Sequence, residues 1–170
     1  METGCEPPRV VAGMPMYNEE ETIGTVVTMA LRHVDEVICI DDGSSDSSAR
    51  IAEACGATVI RHRGNQGYGA ALKTLFKATR DSDADILVVL DSDGQHDTAD
   101  IPKLIQPILD EEADFTIGSR FVEGGEGNDM PAYRRLGIKV ITAASNLTSD
   151  LGIKDTQSGF RAFSRKAIDR

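Results

Sequence analysis

Apolar positions along this chain come in two alternating rhythms. Short runs rich in valine and isoleucine, at Arg9 to Met14, Val37 to Ile40, Thr58 to Ile60, Ile86 to Leu90 and Phe115 to Ile117, are nearly continuous in hydrophobicity, as strands buried on both faces are. Between them the spacing changes to three and four residues. Ile23, Val26, Val27, Ala30 and Leu31 form the stripe of an amphipathic helix, and Ile51 to Cys55, Ala70 to Ala78 and Ile101 to Leu109 continue the pattern. Pro107, which has no N–H to donate, is expected to kink or shorten the last of these. A further helix is expected with Leu136, Val140, Ile141, Ala144 and Leu147 on one face. Phe160 to Ser164 reads as a final strand entering another helix. Strand-then-helix repetition predicts an α/β fold, a largely parallel sheet with helices on both faces.

Turn residues sharpen the boundaries. Asp46 ahead of Ser47, Ser48 and Ile51 suits a helix N-cap, and Gly56 after Cys55 suits a glycine stop. Glu123 to Met130, rich in glycine and charge, is expected to be a loop. The 170 residues fit a single domain, expected to continue in a longer natural protein because the chain stops at Arg170 just inside a helix. No apolar run approaches the ~20 residues of a membrane-spanning helix, and Met1 to Pro8 lacks a signal-peptide pattern. A net charge of -10 argues against a nucleic-acid partner, because neutralising phosphates takes a basic surface. Cys5, Cys39 and Cys55 are odd in number and show no metal-binding spacing, so reduced thiols and a cytoplasmic setting are expected.

In open parallel sheets ligands bind beyond the carboxyl ends of the strands, and those segments are the polar ones here. The first strand leads into Pro15-Met16-Tyr17-Asn18-Glu19-Glu20, which either faces a ligand or caps the next helix. The second leads into Asp41-Asp42-Gly43-Ser44-Ser45-Asp46; adjacent carboxylates point opposite ways on an extended chain, so Asp42 can face a nucleotide while Asp41 closes the turn. The fourth runs into Asp91-Ser92-Asp93-Gly94-Gln95-His96. Carboxylates two residues apart at a strand end converge on one hard cation, magnesium or manganese, with Gln95 as a further oxygen ligand. A solvated acidic turn is the alternative, and His96 fits better behind the ligands than among them. Arg120 after the fifth strand, and Arg134 and Arg135 beyond the loop, suit an anion site or a solvated helix start. Asp155 and Gln157 either face the cleft or close their own turn. Gly67-Tyr68-Gly69 resembles the start of a dinucleotide fingerprint but lacks its third glycine and follows the wrong strand. Asn146-Leu147-Thr148 matches a glycosylation acceptor but falls in the expected helix.

Taken in order, Pro15 to Glu20, Asp41 to Asp46, Asp91 to Gln95, Gly118 to Arg120 and Asp155 to Phe163 resemble the family 2 glycosyltransferases of the GT-A fold. Within that family the chain is most similar to the dolichyl-phosphate or polyprenyl-phosphate mannosyl- and glucosyltransferase branch. The resemblance implies a Rossmann-like three-layer α/β/α sandwich with a mostly parallel central sheet. It implies nucleotide contacts at Pro15, Tyr17, Glu19 and Asp42, a metal at Asp91, Asp93 and Gln95, and acceptor-phosphate contacts at Arg120 and Arg134. The Gln-x-x-Arg-Trp signature of processive synthases is missing and the chain has no tryptophan, so transfer of a single sugar is expected, with inversion.

The implied reaction takes a nucleotide-sugar of GDP-mannose or UDP-glucose type to a lipid phosphate, whose ionised oxygen needs no strong base. A hydroxyl acceptor would need one, and Asp155 is the candidate. Peripheral membrane association through segments beyond Arg170, at the cytoplasmic face, and a homo-oligomer are further expectations. Two rival classes are a non-catalytic nucleotide-sugar-binding domain and a haloacid dehalogenase-type phosphatase. Against the phosphatase, Gln95 stands where its motif carries threonine, and the acidic pair follows the fourth strand, not the first.

Overall fold

A computed structural model of the chain describes residues 7–119, 137–141 and 159–170. Its elements in chain order are β1 (Val10–Met16), α1 (Ile23–Ala30), β2 (Glu36–Asp41), α2 (Ser48–Ala54), β3 (Thr58–Arg61), α3 (Tyr68–Arg80), β4 (Ile86–Val89), α4 (Ile101–Leu109), β5 (Phe115–Ser119), β6 (Gly137–Ile141), β7 (Arg161–Ser164) and α5 (Arg165–Ile168). They build one seven-stranded sheet of order β3-β2-β1-β4-β7-β5-β6. β1 to β4 are mutually parallel, whereas β7 runs antiparallel to both β4 and β5, and β6 antiparallel to β5.

Alternate residues of the central strands enter two separate cores. Val10, Ala12, Met14, Val37, Cys39, Ile86 and Val88 pack with Val26 and Val27 of α1, Ala52 of α2, and Leu104 and Ile108 of α4. Val11, Ile38, Ile40, Leu87 and Val89 pack on the opposite side with Ala71 and Leu75 of α3 and Ile168 of α5. The three-layer α/β/α expectation is therefore met, and the continuous hydrophobicity of these strands reflects burial on both faces. Burial, helped by the Asp41 charge, pushes the Cys39 thiol up to about 12, so it is an inert core residue.

Local signals act much as expected, with one shift. Gly56 has φ of 97°, and the N–H groups of Gly56 and Ala57 bond the carbonyls of Glu53 and Ala52, closing α2. Asp46 accepts the Ser48 N–H at 2.9 Å, but Ser47 occupies the N-cap position itself. Pro107 lies inside α4, which ends two residues later at Leu109. One expectation fails: 137–141, expected to be helical, is strand β6. Gly-Ile-Lys-Val-Ile fits a period of two as well as a helical stripe, and pairing with β5 from Ser119↔Gly137 to Phe115↔Ile141 decides between them. The rest of that expected helix, with Leu136, Ala144 and Leu147, and the loop Glu123 to Met130 lie outside the described residues. Among the described residues no helix is long and apolar enough to cross a membrane.

Candidate active site

The strand order reverses between β1 and β4, since β2 and β3 extend one way and the rest of the sheet the other. Such a reversal opens a crevice at the carboxyl ends of the two strands. A cavity of ≈ 360 Å³ lies there, walled by Pro15, Met16 and Tyr17 from β1 and its turn, Asp42 beyond β2, Asn65 and Gly67 ahead of α3, Tyr68 at its first position, and Asp91 to Asp93 beyond β4. Tyr17 is 46% and Tyr68 51% exposed, so two aromatic rings stand open at the cavity.

Hydrogen bonds lace the turns together. Asn18 takes a left-handed φ of 55°, donates its N–H to Ser44 Oγ at 3.0 Å and accepts from Ser45 N–H at 2.9 Å. The Glu19 N–H donates to Ser48 Oγ at 2.7 Å and the Glu20 carboxylate accepts from Ser47 N–H at 2.9 Å. Of these three residues only Glu19 also lines the cavity. The neighbouring aspartates divide their work as their alternation predicts. Asp41 accepts the Ser44 N–H at 2.8 Å, while Asp42 turns into the cavity wall.

Asp42 is heavily engaged there. Its Oδ1 lies 2.7 Å from His62 Nδ1 and accepts the Gln66 N–H at 3.0 Å, and its Oδ2 accepts the Gly67 N–H at 2.7 Å. His62 is held in turn through Nε2, 2.8 Å from Thr74 Oγ1 in α3. Burial alone would raise the Asp42 carboxyl, but the donors from Gln66, His62 and Gly67 outweigh it and hold the group below the ordinary carboxylate range.

At the end of β4, the middle residue of Asp91-Ser92-Asp93 is buried and serves as a tie. Ser92 Oγ donates to the Pro15 carbonyl at 3.0 Å, and the Ser92 carbonyl accepts from Thr22 Oγ1 at 2.8 Å. Asp91 and Asp93, on either side, both reach the cavity. Asp93 accepts the Gln95 N–H at 2.9 Å; the Gln95 side chain is not part of the cavity wall. Asp91 Oδ2 lies 3.2 Å from Nε2 of the buried His96, whose ring stacks on Phe160 at 5.4 Å and whose Nδ1 has no hydrogen-bond partner among the described residues. Gly159 passes so close that a Cβ on it would overlap the Asp91 carboxylate. Partial burial and the Asp91 charge, opposed by Arg161, raise the Tyr68 phenol, whose hydroxyl bonds Asp91.

Among the described residues the cavity wall carries Glu19, Asp42, Asp91 and Asp93 and no lysine or arginine. An anion could enter such a wall only with a cation between, because like charges brought together out of water are strongly unfavourable. No group of three or more His, Cys, Asp or Glu side chains forms a cage among the described residues. Two carboxylates facing an open cavity instead match magnesium or manganese, which keep waters and take their remaining ligands from a substrate phosphate.

Comparison with known proteins agrees with this geometry. The family model described as glycosyl transferase family 2 matches residues 12–170. The chain belongs to glycosyltransferase family 2. Among its family 2 relatives, the UDP-N-acetylglucosamine–dolichyl-phosphate N-acetylglucosaminyltransferase of Methanococcus voltae is 34% identical, over 91% of this chain and 69% of that protein. The dolichol-phosphate mannosyltransferase of Pyrococcus furiosus is 32% identical, over 92% of this chain and 46% of that one. Among solved structures, glucosyl-3-phosphoglycerate synthase from Mycobacterium tuberculosis in complex with Mg2+ and uridine diphosphate superimposes with a TM-score of 0.65 at 26% identity, over 94% of this chain and 57% of that one. The chain thus spans roughly half to two thirds of the length of these proteins, and the GT-A expectation for its fold holds.

Of the residues singled out from the sequence, Pro15, Tyr17, Glu19, Asp42, Asp91 and Asp93 meet at one cavity, and Gln95 donates its backbone N–H to Asp93 beside them. Arg120, Arg134, Arg135, Asp155 and Gln157 lie outside the described residues. Sequence reasoning missed Asn65, Gly67 and Tyr68 in the wall, His62 behind Asp42, Ser92 as a tie and Gly159 beneath Asp91. The segment after the third strand falls under the same strand-end rule as the others, and that rule is the signal that points to Asn65, Gly67 and Tyr68.

Proposed function

We propose that this family 2 chain transfers a single sugar from a nucleotide-sugar to a polyprenyl or dolichyl phosphate, with a divalent cation at Asp91 and Asp93. The observation that carries this reading is the pairing of two strand-end carboxylates with two open tyrosine rings on one cavity whose described wall has no basic side chain. Relatives named for dolichyl- or dolichol-phosphate transfer support the acceptor class, and a solved relative holding Mg2+ with a nucleoside diphosphate supports the cation.

When bound, the cation would stabilise the negative charge that gathers on the departing nucleoside diphosphate. The protein's own part is to hold and to exclude. Tyr17 and Tyr68 offer ring faces to the nucleotide, Asp42 an acceptor for its base, and Ser92 keeps the acidic turn against the Pro15 turn. An acceptor phosphate oxygen then attacks the anomeric carbon from the side opposite the diphosphate, forming the new bond as the old one breaks, with inversion. That oxygen is already ionised near neutral pH, so no base is required; Arg120 and Arg134 are proposed to orient it.

A small phosphorylated acceptor is the second reading, favoured by the likeness to glucosyl-3-phosphoglycerate synthase. Attack by a hydroxyl would then need a base, for which Asp155 is proposed. The two separate in one assay. The protein is incubated with Mn2+, labelled nucleotide-sugars and either dolichyl phosphate in detergent or 3-phosphoglycerate. Label in the lipid phase, lost in Asp93→Ala, is expected; label only on the small acceptor would move the function to the second reading, and donor binding with no transfer to either would leave a binding domain.

A further inference from the structure

We infer that His62 selects the base of the donor, making the cavity a site for a uridine diphosphate group and not a guanosine one. The inference rests on the nucleotide-sugar reading above and concerns the acceptor positions of Asp42.

A carboxylate offers about four lone-pair positions, two on each oxygen. On Asp42 both positions of Oδ1 are taken, one by His62 Nδ1 at 2.7 Å and one by the Gln66 N–H at 3.0 Å. The Gly67 N–H at 2.7 Å takes one of the two on Oδ2. A single acceptor position is left for a ligand in the cavity wall that Asp42 helps to form. His62 cannot easily turn away, because its other ring nitrogen lies 2.8 Å from Thr74 Oγ1 and its side chain is only 9% exposed.

The same cavity wall also holds a donor. Asn65 also lines the cavity, and its Oδ1 accepts the Gly67 N–H at 3.1 Å, which leaves its amide NH2 group to donate. One acceptor and one donor match the edge of uracil, a ring N–H beside a carbonyl; guanine offers the same pair at N1–H and O6 but adds its exocyclic amine on the other side of N1–H. Guanine presents two N–H groups side by side, N1–H and the exocyclic amine, and is held best by both oxygens of a carboxylate. Here the second of them meets an Oδ1 already filled by His62 and the Gln66 N–H, so one guanine donor goes unmatched. A site that leaves a polar group of the wrong base unpaired rejects that base strongly. Adenine and cytosine can also offer one N–H beside an acceptor position. The imide N–H of uracil is the more acidic donor and makes the stronger bond to a charged oxygen.

Titration calorimetry in saturating Mn2+ with UDP, GDP, CDP and ADP tests the inference. UDP is expected to bind about tenfold or more tightly than GDP, and more tightly than the other two. His62→Ala, which opens a position on Oδ1, is expected to reduce the UDP-to-GDP ratio to about threefold or less. His62→Gln, whose amide can still donate to Asp42, keeps the wild-type ratio, an outcome that a purely structural role for His62 would not produce. Should His62→Ala fail to fold, the wild-type and His62→Gln ratios decide. GDP bound as tightly as UDP by the wild-type protein overturns the base selection alone, and so does an unchanged ratio in folded His62→Ala. Binding of none of the four nucleotides overturns the donor reading beneath it.

Discussion

Asp91 occupies a space that only glycine leaves open. The backbone of Gly159 passes directly beneath the carboxylate, with His96 and the Phe160 ring completing the support. Gly159→Ala must therefore push Asp91 from its place; Mn2+ affinity, read by water-proton relaxation, is expected to fall at least about tenfold. Wild-type affinity in a folded variant would show that Asp91 does not hold the ion. Asp42 gives a second prediction at this scale. Its carboxyl is held below the ordinary value of 3.8, so its contribution to stability is complete above that value and is lost as pH falls through the lower folded one. The urea midpoint should stay level from neutrality to about pH 4 and drop below it, and Asp42→Asn should flatten that acid limb. The carboxylates themselves were legible in the sequence because carboxylate pairs at strand ends have a local signature. Their supports were not, since Gly159 and His62 reach them only across the fold.

The site's turns behave as one body because each is tied to its neighbour. Asn18 and Glu19 bind the serines of the second turn, Asp42 binds the backbone ahead of α3, and Ser92 joins the β4 turn to the β1 turn. Ser92→Ala removes the buried bond to the Pro15 carbonyl and is expected to cost about 1 kcal/mol in chemical denaturation. It should also weaken donor binding, measured by calorimetry, although Ser92 presents no charge to the ligand. Unaltered donor affinity would mean that the two turns hold their positions independently. Elements with a strong period, such as α1 and β4, could be read directly. The five residues of β6 could not, because Gly137 to Ile141 satisfies two periods and its partner strand chooses.

Across the whole molecule, β7 is the element that completes the site, carrying Gly159 and Phe160 in just ahead of Arg161. It runs antiparallel between β4 and β5, and α5 locks it there. The Arg165 guanidinium donates to the carbonyls of Ser82 at 2.8 Å and Arg80 at 3.1 Å, and Arg80 donates to the Ile168 carbonyl at 2.8 Å. Arg165→Ala is expected to lower stability by about 2 kcal/mol, the range for hydrogen bonds from a charged group. Its Mn2+ affinity should weaken as β7 loosens under Asp91; a loss of stability with intact Mn2+ binding would confine the clasp to folding.

By itself the sequence determined the alternation of buried strands with amphipathic helices, the turns that end them, and the acidic pair after β4. All three are written in periodicity and neighbouring residues, which act over a few positions of the chain. Only the tertiary structure decided the strand order with its reversal between β1 and β4, the antiparallel insertion of β7, and how many acceptor positions Asp42 keeps for a ligand. Those depend on which distant segments pair and which donors arrive from them, and no local spacing encodes the partner of a strand edge or a carboxylate oxygen.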